Sequence, residues 1–314
     1  KWVHIATLVG LVFGLNIYEV YGKQDRLISR QRQTLNHNGI ERTYLVRAPG
    51  KLEEARVTRP LVLVLHGGGG NAFNAERMTG FSEKAAKEGF IVAYPEGTGR
   101  RWALFKRLTW NAGHCCGPAM RNEVDDISFI SVLIDKLIAS YPVDPKRVYV
   151  TGLSNGGMMT HSLGIALSNK IAAIAPAIAT VFGDEQQPKN PVSAIMINGM
   201  LDKAVPYKGG PPGGRFPRAW DGTPAKSALD QAEFWSDANA CEKKPLEFDQ
   251  THFIRRKYRC PAGLGVELYL IKDNGHAWPG GERGGPRGDL PSRSLIATDI
   301  IWDFFKAHPK SLWK

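Results

Sequence analysis

The stretch Thr151-Gly152-Leu153-Ser154-Asn155-Gly156-Gly157-Met158-Met159 decides the reading of this chain. Immediately upstream, Arg147-Val148-Tyr149-Val150 is a short β-branched and aromatic run of the kind that forms a buried strand. Downstream, residues 158–167 read as a helix. A serine inside G-x-S-x-G, pinched between a strand and a helix, is a nucleophile elbow. Such a turn is so tight that its neighbours must be nearly free of side chain, which accounts for Gly152, Gly156 and Gly157. The serine hydroxyl then projects toward the positive end of the following helix, where a developing oxyanion is stabilised. The five letters alone recur by chance; the strand–turn–helix setting gives them chemical meaning.

Outward from the elbow, strand and helix patterns alternate. Residues 33–39 and 41–48 read as two strands joined by an Asn-Gly turn. Pro60-Leu-Val-Leu-Val-Leu65 is a continuous apolar run, expected of a strand buried on both faces, and it ends in His66-Gly67-Gly68-Gly69-Gly70-Asn71. Residues 81–88 read as a helix and 90–94 as the next strand. Within 125–141, Ile127, Ile130, Leu133, Ile134, Leu137 and Ile138 form a helical face, with Asp125 or Asp126 as its cap. Strands at 194–198 and 266–272 and helices at 227–238 and 294–307 complete the pattern. Residues 208–224, rich in Gly and Pro, read as a long surface loop. This alternation implies an α/β fold with a mostly parallel sheet and helices on both faces.

The chain has 314 residues, 43% of them hydrophobic, and a formal net charge of +11. The first figures suit a globular protein with a sizeable core, read as a single catalytic domain over 23–314. The charge invites a nucleic-acid reading, but no helix-turn-helix, zinc-finger or RNA-binding signature accompanies it and the basic residues are scattered, so no nucleic-acid partner is expected. Attraction to anionic surfaces or acidic polymers is the sharper reading of the charge, a merely basic soluble protein the plainer one.

Residues 5–18 are almost wholly apolar and follow Lys1 and His4. The run is short for a membrane span and suits the core of a signal peptide, with cleavage after Val20-Tyr21-Gly22. Lys23, Arg26, Arg30 and Arg32 follow directly, and positive charge there resists export, so an uncleaved anchor over 1–22 is the alternative. Cleavage would make the protein secreted or periplasmic, with no stable membrane span.

Four cysteines, Cys115, Cys116, Cys241 and Cys260, show no C-x-x-C spacing, so no metal site is expected. Cys241 and Cys260 flank 248–259, which reads as a hairpin or a strand with its loop, and a disulfide closing it suits an exported protein. Cys115 and Cys116 receive no partner from sequence and read as two buried thiols.

A serine needs a base to take its proton, and in this order of elements the acid and then the base follow the elbow. His161, His252, His276 and His308 are available. His161 lies on the elbow helix, His252 in a basic strand-like run and His308 near the end. His276, in Asn274-Gly-His276-Ala-Trp278-Pro-Gly280, occupies a loop directly after a strand, where a base belongs. The orienting acid is Asp202, in a loop at the carboxyl end of another strand, where open sheets build their sites. Asp230, read as helix surface, and Asp273, close along the chain to His276, are the competitors. Two amides would hold the oxyanion: that of Asn155, and one from the glycine loop after the first buried strand, Gly68 with Gly67 or Gly69 as alternatives. The loop is no phosphate cradle, because no Gly-Lys-Ser/Thr follows. Trp110 and Trp278 are candidate substrate-binding residues, against core packing as the alternative; Trp278, two residues from the base, would wall the acyl pocket.

Leu65-His-Gly-Gly68, Trp110-Asn-Ala-Gly-His-Cys-Cys116, Val124-Asp-Asp126, Gly152-Leu-Ser-Asn-Gly-Gly-Met158, Asp202-Lys-Ala-Val-Pro-Tyr207 and Gly275-His-Ala-Trp-Pro-Gly280 occur together in this order. The set resembles the polyhydroxybutyrate depolymerase and feruloyl esterase family of α/β-hydrolases, close to carbohydrate esterase family 1, over about 34–308. The resemblance implies an α/β-hydrolase fold and a secreted serine esterase with Ser154, Asp202 and His276 as its triad, no cofactor, and an ester partner on plant polysaccharide or in a hydroxyalkanoate polyester. It also implies that Cys241 and Cys260 pair. Family members often carry Cys where this chain has Gly68; an amide donor survives that difference, whereas a cysteine pairing there does not. A non-catalytic carbohydrate- or lipid-binding protein on the same scaffold is the alternative from another class, and the complete triad speaks against it.

Overall fold

Leu61-Val-Leu-Val-Leu65 is wholly buried, and its successive side chains enter opposite cores. Leu61, Leu63 and Leu65 pack on one side, Val62 and Val64 on the other. A period of two with no polar position marks a strand covered on both faces. Burying five such side chains contributes on the order of 10 kcal/mol before the conformational entropy is subtracted. The same alternation recurs at Val148, Tyr149 and Val150 and again from Ala194 to Ile197.

The computed structural model describes residues 27–28, 32–49, 57–102, 105–211 and 219–310; the expected leader over 1–22 lies outside them. In chain order the strands are β1 (Leu27–Ile28), β2 (Arg32–His37), β3 (Ile40–Pro49), β4 (Arg59–Leu65), β5 (Ile91–Pro95), β6 (Thr98–Trp102), β7 (Phe105–Thr109), β8 (Val143–Leu153), β9 (Ala173–Ala177), β10 (Ser193–Gly199), β11 (Leu246–Asp249), β12 (Phe253–Tyr258) and β13 (Val266–Ile271). The helices are α1 (Ala72–Thr79), α2 (Phe81–Glu88), α3 (Gly117–Arg121), α4 (Asp126–Ser140), α5 (Asn155–Ala166), α6 (Ala228–Ala238) and α7 (Ala297–Ala307). Among the described residues no helix is long and apolar enough to cross a membrane.

One sheet carries the fold, in the order β1-β3-β5-β4-β8-β9-β10-β13-β12-β11, with β2 on β3. The central strands β5, β4, β8, β9, β10 and β13 run parallel. Helices α4, α5 and α6 supply one core and α1, α2 and α7 the other. Leu65 lies opposite Gly152 in the register, so β4 and β8 end side by side and deliver the glycine loop and the elbow to the same edge.

Several local expectations meet their elements. Asn38 and Gly39 both have positive φ, 51° and 75°, as the two-residue turn between β2 and β3 requires. Asp125 caps α4 by accepting the Ser128 amide at 3.0 Å. Asp126 instead faces inward, pairing with buried Arg42 at 2.6 Å and accepting the Asn111 amide at 2.8 Å. The 248–259 run resolves into the hairpin strand β12 and part of β11. Several elements carry no sequence expectation: β1, α1, α3, β9 and the β6–β7 hairpin. Strand β9 is Ala-Ile-Ala-Pro-Ala, poor in β-formers and containing the one residue that central strands exclude, and its sequence therefore hides it.

Cys241 and Cys260 are joined, Cα to Cα 4.0 Å, tying the end of α6 to the end of β12. Cys115 and Cys116 lie side by side and both are buried. An unreduced digest should yield the 241–260 crosslinked peptide. Replacing both residues with Ala should lower the unfolding free energy by about 3 kcal/mol, for a closed loop of 19 residues' separation; denaturant titration reads it, and unchanged stability would contradict it.

Candidate active site

Ser154 has φ 55° and ψ −125°, a conformation that non-glycine residues avoid. It is held there from both sides. Its amide donates to the Ala177 carbonyl of β9 at 3.0 Å, and its carbonyl accepts the Met158 amide at 2.8 Å to start α5. At Gly156 a Cβ would collide with the carbonyls of Leu65 and His66, so α5 approaches the end of β4 as closely as backbone allows.

His276 stands between the serine and an acid. Its Nε2 lies 2.9 Å from Ser154 Oγ, and its Nδ1 lies 2.7 Å from Asp202 Oδ2. An ionised carboxylate only accepts, so the ring proton is on Nδ1 and Nε2 is free to accept from the serine. Asp202 is 5% exposed, and its other oxygen accepts the amides of Ala204 and Val205 at 2.7 and 2.9 Å. Those bonds fix the carboxylate before His276 uses it. Ser154, Asp202 and His276 are thus brought together, and the competitors are elsewhere. Asp230 completes the capping box of α6 with Ser227, and Asp273 accepts the hydroxyls of Ser292 and Ser294.

Gly68 and Asn155 also meet, since a Cβ on Gly68 would lie 3.6 Å from that of Asn155. The amides of Gly69 and Gly70 go to Leu108 and Gly67 carbonyls, whereas the Gly68 amide has no partner among the described residues. The Asn155 amide opens a helix, where first-turn donors lack intrahelical acceptors.

Trp110 and Trp278 require correction as substrate-binding residues, because both are fully buried. The Trp110 indole donates to the His66 carbonyl at 3.0 Å, and its backbone exchanges two bonds with the Asn155 side chain, at 2.7 and 3.0 Å. The Trp278 indole donates to Thr298 Oγ1 at 3.0 Å within the second core. Both rings build the scaffold beneath the site and present no face to a ligand.

Three further residues lay beyond sequence reasoning. His66 accepts the Gly97 amide on Nε2 at 3.0 Å and donates from Nδ1 to the Gly67 carbonyl at 2.9 Å, so it shapes the glycine loop as a neutral ring. Asn274, fully buried, donates to the carbonyls of Gly275 and Ala277, both at 2.8 Å. Asp289 accepts the His276 amide at 2.7 Å and occupies the space where Gly275 would carry a side chain. The only sequence signal for the last two was the glycine beside His276. Among the described residues no cluster of His, Cys, Asp or Glu could hold a metal.

The family model described as esterase PHB depolymerase matches residues 43–205, just over half of the chain. Feruloyl esterase B of Piromyces equi is 29% identical over 232 residues, covering 72% of this chain and 41% of that protein. Feruloyl esterase C of Emericella nidulans is 24% identical over 297 residues, covering 91% of this chain and 90% of that protein. The chain therefore spans less than half of the first relative's length and most of the second's. Among solved structures, an acetyl xylan esterase from Aspergillus awamori superposes with a TM-score of 0.59 at 13% identity, covering 88% of this chain and 99% of that one. At that identity the likeness is one of fold, the α/β-hydrolase arrangement.

Burial pulls His66 and His161 down to about 4 from the ordinary 6.5. For a histidine the fold keeps neutral, stability is complete above pH 6.5 and is lost as pH falls toward 4, because the unfolded chain takes up a proton that the folded one refuses. The loss should reach about 3 kcal/mol for each ring. Urea unfolding at stepped pH should show stability falling through this window, and a flat profile between pH 6.5 and 5 would contradict it.

Proposed function

Since the chain belongs to the esterase PHB depolymerase family, we propose that it is a serine esterase that cleaves carboxylic esters through an acyl-enzyme. The observation that carries the reading is the unbroken chain Ser154 Oγ, His276, Asp202, at 2.9 and 2.7 Å. In the first step His276 Nε2 takes the hydroxyl proton as Ser154 attacks the ester carbonyl, and Asp202 stabilises the imidazolium that forms. The amides of Gly68 and Asn155 receive the oxyanion. His276 then hands the proton to the departing alcohol. Water repeats the sequence on the acyl-enzyme, and the acid leaves.

Two substrate classes follow from two observations. Feruloyl or related esters on plant polysaccharide are favoured by the feruloyl esterases among the relatives. Hydroxyalkanoate polyesters or their oligomers are favoured by the description of the family model. Secretion of the protein is part of the first reading, since esters on plant polysaccharide lie outside the cell.

Turnover of p-nitrophenyl acetate, methyl ferulate and 3-hydroxybutyrate oligomers tests the reading, and a folded protein that cleaves none of them would refute it. Ser154→Ala should remove turnover by about three or more orders of magnitude. Asp202→Asn should keep KM while lowering kcat by roughly 10³–10⁴-fold, because the ring would then hold the wrong tautomer. Asp273→Asn should stay near wild type; the reverse ranking of the two would reassign the acid.

A further inference from the structure

His114 lies in the loop between β7 and α3, four residues after the Trp110 that is bonded to Asn155. Its Nδ1 is 2.7 Å from Asp221 Oδ2 and 3.0 Å from Thr223 Oγ1, and its Nε2 is 2.8 Å from Asp184 Oδ2. A neutral imidazole has one N–H and can satisfy one carboxylate; carboxylates on both nitrogens call for the imidazolium. Burial works against that charge, but the bonds to Asp184 and Asp221 outweigh it and raise the His114 pKa above its ordinary value.

The two carboxylates belong to different segments. Asp184 follows β9, whose Ala177 carbonyl accepts the Ser154 amide. Asp221 belongs to 219–225, which is bridged to the His114 loop by Cys115 opposite Trp220 and by the Asp221 amide on the His114 carbonyl at 3.1 Å. The Lys226 amide donates to the Val181 carbonyl at 2.9 Å, closing the triangle. The other charged groups here are Glu185, which accepts the amides of Phe182 and Gly183, and Lys226, whose stem lies against Gly183. Within the triangle the Phe182 ring lies 4.9 Å from His114 and 5.7 Å, edge-on, from Trp220. Trp220 is only partly buried, unlike Trp110 and Trp278.

We propose that His114, by bonding Asp184 and Asp221 at once, is a positioning residue that fixes the partly buried Trp220, backed edge-on by the buried Phe182 ring, as an aromatic wall for the acyl group of the ester. The inference rests on the esterase reading of the same site and narrows it to aromatic acyl groups, which stack on such a wall where an acetyl group cannot. His114 must be charged to hold both carboxylates. Its grip is therefore kept below its raised pKa and is lost as pH rises through that value.

The test measures kcat and KM for methyl ferulate and for p-nitrophenyl acetate from pH 5.5 to 9.5, in the wild type, His114→Gln, Asp221→Asn and Trp220→Leu. In the wild type, KM for the ferulate should climb on the alkaline side more steeply than KM for the acetate. His114→Gln and Asp221→Asn should raise the ferulate KM about ten-fold relative to the acetate KM, with kcat changing far less, and should flatten the alkaline climb. Trp220→Leu should reproduce the loss of preference and leave the climb small. Equal shifts for both esters in folded variants, or a wild type that cleaves the acetate but not the ferulate, would overturn the wall while leaving the esterase reading intact. A wild type that cleaves neither ester would remove both.

Discussion

Helix α5 enters the molecule with its first turn pressed against the carbonyls that end β4. At Gly156 there is room for a hydrogen and nothing more, and the geometry of the site follows from that contact. Because the helix must come this close, the turn before it is short enough to throw Ser154 into positive φ, at a conformational cost of about 1–3 kcal/mol. The same closeness sets the Asn155 amide beside Gly68, so two donors from segments far apart in sequence converge on one point. Strain at the serine persists because β4 and β8 are buried on both faces, and neither strand can move to relieve it.

Beneath Ser154 and the glycine loop lies a buried polar layer. Trp110 bonds to His66 and to Asn155, and His66 bonds to Gly67 and Gly97. The loop after β4, the loop after β7 and the elbow are thereby one unit. Neutral His66 suits this role: burial suppresses its charge, and a neutral ring is both donor and acceptor, which its two partners require. The pair of Arg42 and Asp126 serves the same layer differently. Burial pushes the Asp126 carboxyl up and the Arg42 guanidinium down, each against the pull of its partner. A pair whose desolvation outweighs its attraction contributes placement more than stability. Here the placed group is the Asn111 amide, next to Trp110, and the Arg42 guanidinium also lies 3.8 Å over the Phe129 ring.

His276 is held by a separate set of constraints. Asn274 gathers the carbonyls of Gly275 and Ala277, Asp289 takes the His276 amide, and Asp202 takes the ring. None of these contacts touches the elbow, so the serine and the histidine are positioned independently and meet only through their 2.9 Å contact. Buried hydrogen bonds at both ends make that meeting reproducible without a covalent tie.

What the sequence determined by itself was periodic or local. Leu61 to Leu65 reads as a doubly buried strand because every position is apolar, Asn38-Gly39 reads as a turn because both residues accept positive φ, and the elbow reads from its glycines. The loop positions of Asp202 and His276 were legible for a related reason: parallel strands end on one edge, so loops that follow them share it. Tertiary structure decided whatever depends on partners distant in the chain. Strand β9, made of alanine and proline around one isoleucine, is a strand because small side chains let it lie beside the elbow helix, where the Ala177 carbonyl comes up against Gly157. Trp110 and Trp278 carry no mark that separates a pocket wall from a core post, since a large ring serves either and only the surrounding layers choose. Asp125 and Asp126 are adjacent and chemically identical, and one caps a helix while the other is buried, because Arg42 arrives on one side alone. Residue type and spacing state what a side chain can do; the packing of segments far apart in sequence settles which of those things it does.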